Sequence, residues 1–222
     1  MGAQIFVLDA ESDDETVAIA TAAGATVERR TWHGFVEARR YALAQVRTAW
    51  LFMLDADEAI DAELVRAIEA APDDVDAYRV RRITSLCGCP IRTAGWSNER
   101  LVRLFRRSTI VLESHSVGGG AELHERWATT GTVRDLPGAI LHDSYPTLAS
   151  YREKFARYTS IEAAAIRGSL SALVLAALVA CVRVPWSLLR YGGWRDGWRG
   201  AFVAGASAVY PIVVQWKALR SA

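Results

Sequence analysis

Apolar and polar positions set a strand-then-helix rhythm in the first third of the chain. Ile5-Phe6-Val7-Leu8 is a short apolar strand closed by Asp9, and the polar turn Glu11-Ser12-Asp13-Asp14-Glu15 follows it. That turn caps a helix predicted from Thr16 to about Ala23, with Gly24 as its stop. Ala25 to Arg29 reads as a second strand and Val36 to Val46 as a second helix. The run Trp50-Leu51-Phe52-Met53-Leu54 then reads as a strand buried on both faces and ending at Asp55. A further helix is expected from Glu63 to Ala70. Strands alternating with helices predict an α/β fold with a parallel sheet and right-handed crossovers.

From Ala77 onward the rhythm changes. Tyr78 to Ile83 alternates as an antiparallel strand does, and Leu101 to Phe105 is its expected partner. Gly118-Gly119-Gly120 reads as a flexible loop ahead of Ala121-Glu122-Leu123-His124-Glu125. Arg103, Arg106 and Arg107 read as a basic strand edge facing solvent or a membrane. Tyr151 to Arg167 has a helical pattern. Leu170 to Val182 is an uncharged run of 13 residues interrupted by Arg183, and Ala201 to Val214 is a second apolar stretch broken by Pro211. Each is shorter than the roughly 20 residues that span a bilayer. Between Pro185 and Arg199, Trp, Tyr and Arg interleave as they do at a membrane–water interface. Interfacial or re-entrant helices are therefore expected, with two ordinary buried helices as the alternative. The division predicted is 1–165 for the α/β domain and 166–222 for a membrane-associating helical tail.

With 222 residues the chain is long enough for one α/β domain with a real core and an appendage. An apolar content of 51% and a mean hydropathy of +0.10 are slightly high for a soluble protein. The net charge of +1 hides an asymmetry: residues 1–76 hold 16 Asp and Glu against 6 Arg, and the remainder holds 9 acids against 20 bases. The acidic part suits a metal ion, and the basic part suits phosphate or an anionic membrane. No nucleic-acid partner is expected, because the bases are scattered and no binding motif accompanies them. Cys87, Cys89 and Cys181 form neither a disulfide framework nor a zinc pattern, which fits a reducing cytoplasm. Gln4 to Leu8 is too short for the apolar core of a signal peptide.

The densest chemistry is Asp55-Ala56-Asp57-Glu58, three acids within four positions at a strand's carboxyl end. Ligands of open α/β sheets bind beyond such ends. Two carboxylates held there repel unless a cation lies between them. Hard oxygen ligands suit Mg²⁺ or Mn²⁺, ions usually shared with a substrate's phosphates. The competing reading is a helix N-terminus, where the dipole favours acids.

Several separated segments stand in a telling order: Val7-Leu8-Asp9-Ala10-Glu11-Ser12-Asp13-Asp14-Glu15-Thr16, Trp32-His33-Gly34-Phe35 with Ala38-Arg39-Arg40-Tyr41-Ala42-Leu43, and Leu54-Asp55-Ala56-Asp57-Glu58. Gly88, Gly95-Trp96, Arg103-Leu104-Phe105-Arg106-Arg107, His124-Glu125 and Leu141-His142-Asp143-Ser144-Tyr145 follow in register. Together these segments resemble the family 2 glycosyltransferases of the GT-A fold, and within that family the branch of lipopolysaccharide-core β-glucosyltransferases. The resemblance implies a GT-A-like (Rossmann-like) mixed sheet flanked by helices. It implies metal-dependent, inverting transfer of a hexose from a nucleotide diphosphate sugar to a lipid-linked glycan acceptor, at the cytoplasmic face of a bacterial inner membrane.

Residue roles follow from the resemblance alone. Asp9 is expected to bond the nucleotide base, Arg39 to approach the diphosphate, and Asp55 to lie at the sugar-nucleotide ribose. Asp57 is expected at the divalent ion, with His142 completing its shell or touching the diphosphate, and Glu125 as general base toward the acceptor hydroxyl. The pattern differs at Ala10-Glu11, where the family has Ser-Gly, at Arg40, where it has Asn, and at Thr48-Ala49, where it has Gly-Asp. Members also carry a further strand and an Asn-Glu turn ahead of the segment matching Ile5 to Leu8. A shortened, non-catalytic membrane-associated relative with a binding or assembly role is the alternative.

Overall fold

The computed structural model describes residues 3–93, 96, 99–116 and 122–221, with the backbone alone at 113–116 and 122–126. Two strand–helix units open the chain: β1 (Phe6–Asp9), α1 (Thr16–Ala22), β2 (Thr26–Arg29) and α2 (Phe35–Gln45). β1 and β2 pair in parallel, from Phe6 opposite Thr26 to Asp9 opposite Arg29. In the loop after β1, Glu11 takes a φ of 61°. This left-handed conformation suits glycine, the residue that the family pattern has at this position.

The larger sheet contains β3 (Trp50–Phe52), β4 (Glu58–Ile60), β5 (Ala77–Leu86), β6 (Cys89–Pro90) and β7 (Arg100–Arg106). A hairpin of β8 (Ile110–Ser116) and β9 (Glu122–Thr129) leads to its last strand, β10 (Val133–Tyr145). The strand order is β3-β7-β5-β10-β4, with β6 beside β5. β5 and β10 run parallel, whereas β3/β7, β5/β7 and β4/β10 are antiparallel. The mixed sheet that the resemblance implies is present; the parallel pairing predicted for the first strands holds for β1 and β2, whereas β3 pairs antiparallel to β7. The antiparallel pairing predicted for the segments around Tyr78 and Leu101 is present.

The strand expected from Trp50 to Asp55 is also corrected. It stops at Phe52, its three residues are half-buried, and Leu54 is 42% exposed. β3 ends the order, paired only with β7, so it lacks the two covered faces and two partners of a central strand. Beyond Phe52 the chain must turn, and the Glu58 amide donates to the Asp55 carbonyl at 3.0 Å to close that turn.

The core lies between this sheet and α3 (Ala62–Glu69), where Leu64, Tyr78, Val80 and Ile140 are fully or almost fully buried. Asp61 caps α3 by accepting from the Leu64 amide at 2.7 Å. Gly138 of β10 passes so close to this cap that a Cβ would stand 2.3 Å from the Leu64 nitrogen. Cys87 and Gly88, both at positive φ, form the two-residue turn between β5 and β6. That is the hairpin chemistry of a primed turn and explains the Cys-Gly-Cys spacing without a metal.

After β10 the chain folds as α4 (Leu148–Ala164), and the tail as α5 (Leu170–Arg190), a tight helical turn (Gly193–Asp196) and α6 (Gly197–Ser221). The expectation that each apolar stretch is too short is overturned. α5 has 21 residues and α6 has 25, and each runs through its internal proline. A proline removes one helical hydrogen bond, and the turns on either side keep theirs. Both helices are long and apolar enough to cross a membrane. α6 is tied to the sheet domain: Val203 packs on Leu86 and Ile91, and Arg199 donates to the Leu86 carbonyl at 3.1 Å. α5 turns Leu175, Leu178, Val182 and Leu189 outward, each more than 60% exposed.

Candidate active site

The turn between β3 and β4 carries Asp55 and Asp57. Asp55 places one oxygen 2.8 Å from Arg39 Nη2 and the other 2.9 Å from Arg103 Nη2. The same Arg103 nitrogen stands 2.7 Å from Glu58 Oε1, while Glu58 Oε2 accepts from the Asp55 amide at 3.0 Å. Arg82 backs Glu58 at 3.4 Å and holds Glu99 at 2.8 Å. Burial alone raises the Asp55 carboxyl, but the charges of Arg103 and Arg39 outweigh it and hold the group below its ordinary value.

This network corrects one expectation. Arg103 does not face solvent or a membrane: it is 3% exposed and bridges Asp55 to Glu58. Arg106 and Arg107 are half-buried, Arg106 paired with the exposed Asp73 at 2.6 Å and Arg107 donating to the Val46 carbonyl at 2.5 Å. Two guanidinium groups offset the charge of Asp55 directly.

Asp57 is different. Its side chain is 44% exposed, and its Oδ2 lies 3.1 Å from Nε2 of His142 on β10. The other ring nitrogen of His142 is 3.4 Å from the Thr84 hydroxyl, which orients the imidazole. The Asp143 amide donates to the Asp57 carbonyl at 2.9 Å, so β10 fixes both partners. The hydrogen bond from His142, helped by the charge of Lys154, holds the Asp57 carboxyl below its usual range. Among the described residues, no group of three or more acidic, His or Cys side chains forms a ready cation cage. A half-exposed carboxylate beside an imidazole nonetheless fits Mg²⁺ or Mn²⁺, which keep waters and take substrate phosphates as their other ligands.

The remaining predicted residues are spread out. Asp9 is buried at the end of β1, where it accepts from the Ser12 amide at 3.1 Å and pairs with Arg29 at 3.1 Å. The Ser12 side chain first, then the Ser12 amide and Arg29, hold its carboxyl below the ordinary value against the effect of burial. Arg39 is joined to Asp55, and beside it the exposed rings of Trp32 and Phe35 meet edge-on at 4.7 Å. Glu125 lies on β9 with its backbone opposite Ser114, and its side chain is outside the described residues.

The structure therefore joins Arg39 to Asp55 and Asp57 to His142, and keeps Asp9 in a cluster of its own. The sequence reading missed Arg103, Glu58 and Arg82 as parts of one network. The available signal was strand parity, because Arg103 is in phase with the buried Phe105 along β7.

The family model Glycosyl transferase family 2 matches residues 2–95, the stretch holding Asp9, Arg39, Asp55 and Asp57. The chain is 26% identical to the lipopolysaccharide core biosynthesis glycosyltransferase LpsC of Rhizobium meliloti, across 97% of this chain and 82% of that protein. An uncharacterized glycosyltransferase of Rickettsia conorii is 39% identical over 85 residues, which are 37% of this chain and 30% of that protein. One from Rickettsia bellii is 35% identical over 85 residues, covering 29% of its length.

Proposed function

We propose that this chain, whose residues 2–95 match the model Glycosyl transferase family 2, is a glycosyltransferase that moves a hexose from a nucleoside diphosphate sugar to a lipid-linked or lipopolysaccharide-type glycan. The observation that carries this reading is the Asp57–His142 pair, open to solvent beside an Asp55 clamped by two arginines. The printed function of LpsC supports the choice of acceptor class.

In the transfer, the acceptor's hydroxyl oxygen bonds to the anomeric carbon from the face opposite the leaving group. The bond from that carbon to the phosphate oxygen breaks, and its electron pair leaves with the nucleoside diphosphate. The hydroxyl proton passes to the Glu125 carboxylate as general base. Asp57 and His142 would hold Mg²⁺ or Mn²⁺, which would supply positive charge for the departing diphosphate. Asp9 orients the base, Asp55 the ribose, and Arg39 turns its guanidinium toward the phosphates while Arg103 keeps Asp55 ionised and fixed.

The outward apolar face of α5 supports attachment at a membrane, where a lipid-linked acceptor is presented. The cytoplasmic face is the side on which nucleotide sugars are available. One observation favours a second reading, a non-catalytic binding relative: both Asp55 oxygens are already occupied by arginines.

Radiolabelled sugar transfer separates the two readings. Asp57→Ala and Glu125→Gln are each expected to lower turnover by about 10²-fold or more, with unchanged circular dichroism. Wild-type turnover in either variant refutes its assigned role, and no transfer by the parent chain favours the second reading.

A further inference from the structure

A cavity of about 320 Å³ opens where β10, α4, α5 and α6 meet, away from the acid pair. Its wall is aromatic: Tyr145, Tyr151 and Phe155 form a chain of rings with centroids 5.0 and 5.8 Å apart, and Tyr158 stands at the exposed rim. Two polar features interrupt this wall. Arg183 lines it and makes no ion pair with a described carboxylate. Pro211 lines it as well, and its missing amide leaves the Ser207 carbonyl, also in the lining, without the usual helical donor.

Arg183 is the first charge after the uncharged part of α5. A cation inside an apolar helix is costly unless it faces a partner or a wet cavity, and such residues mark functional sites. Rings that stack, hydroxyls and a carbonyl lacking its proline donor that exchange hydrogen bonds, and one guanidinium for an anion together describe one ligand chemistry. The apolar C–H face of a pyranose packs on aromatic rings, and its hydroxyls need donors and acceptors at the edge. A carboxylate or phosphate on that ring answers Arg183.

The position fits as well. Tyr145 is three residues beyond His142 on β10, roughly 10 Å along the strand. Lys154 links the two places: its ammonium lies 5.4 Å from the Tyr145 ring and bonds the Ser144 carbonyl at 2.9 Å, and its charge also reaches Asp57. Resting on the glycosyltransferase reading, we infer that this cavity binds an anionic sugar, phosphorylated or carboxylated, of the acceptor glycan and holds it between the membrane helices and the transfer site.

The test uses the full chain in detergent. Glucose 6-phosphate, glucuronic acid, neutral methyl glucoside and inorganic phosphate are titrated by saturation-transfer NMR. The expected result is that both anionic sugars bind at least about ten-fold tighter than methyl glucoside and than inorganic phosphate. Arg183→Gln is expected to bring the anionic sugars down to the neutral level, and Tyr158→Ala to weaken all three sugars. The inference is overturned if the anionic sugars bind no tighter than methyl glucoside, or if inorganic phosphate binds as well as they do. It is also overturned if Arg183→Gln changes only flotation with phosphatidylglycerol vesicles, since Arg183 then meets lipid headgroups alone. Calorimetry with a nucleoside diphosphate and Mn²⁺ on the same samples keeps the two readings apart. Lost nucleotide binding with retained sugar binding sinks the transferase reading, and the reverse sinks the cavity.

Discussion

At the residue scale the account turns on which cation each acid has. Arg103 and Glu58 are buried together, so Arg103→Met strands a carboxylate without its charge partner. Breaking a buried pair in this way costs about 3–5 kcal/mol. Urea denaturation is expected to show that loss, with Arg103→Lys falling between. A change below about 1 kcal/mol contradicts the bridging role. The carboxyls of Asp55 and Asp57 are both held low, so their stabilisation is fully present above the unfolded value of about 3.9 and fades as pH falls through their folded values. The urea midpoint is therefore expected to be lower at pH 3 than at pH 6, and Asp57→Asn to flatten part of that fall. An identical pH profile in the variant argues against the His142 bond as the cause. The acids and His142 were legible in the sequence as a spaced motif. Arg103 was not, because its role depends on which strands pair.

At the scale of elements, local pattern located α2, α3 and β7 within a residue at each end and anticipated the β5/β7 pairing, though β5 runs three residues past its expected end. It failed where pairing decides the outcome. The apolar run after Ala49 looked like a central strand, yet β3 has one hydrogen-bonded neighbour and stops at Phe52. In the tail, Arg183 and Pro211 read as breaks, yet each lies in a continuous helix because one lost bond does not undo its flanking turns. Gly138 shows how tightly elements meet: at φ 85°, with the α3 cap in the way, no side chain fits. Gly138→Ala is expected to destabilise by more than about 1 kcal/mol, read as a drop in Tm. An unchanged Tm shows that β10 and α3 are not held at that point.

The whole molecule joins an acidic first third to a basic remainder that ends in the apolar helices α5 and α6. A helix of 21 residues is about 30 Å long, the thickness of a bilayer core. Since burying a Leu side chain contributes about 1.5–3 kcal/mol, α5 is expected to bind lipid through apolar contact. Flotation with neutral phosphatidylcholine vesicles is expected to persist in high salt and to be lost in the double variant Leu175→Lys, Leu178→Lys. Retention of the variant excludes that face as the membrane contact.

The central claim is a divalent ion at Asp57 and His142 that recruits a nucleoside diphosphate. Titration calorimetry of a nucleoside diphosphate, with and without Mn²⁺, on the parent chain and on Asp57→Ala tests it most directly. Heat in the parent only with Mn²⁺, and none in the variant, is the predicted result. Equal binding with and without metal, or in parent and variant, contradicts it.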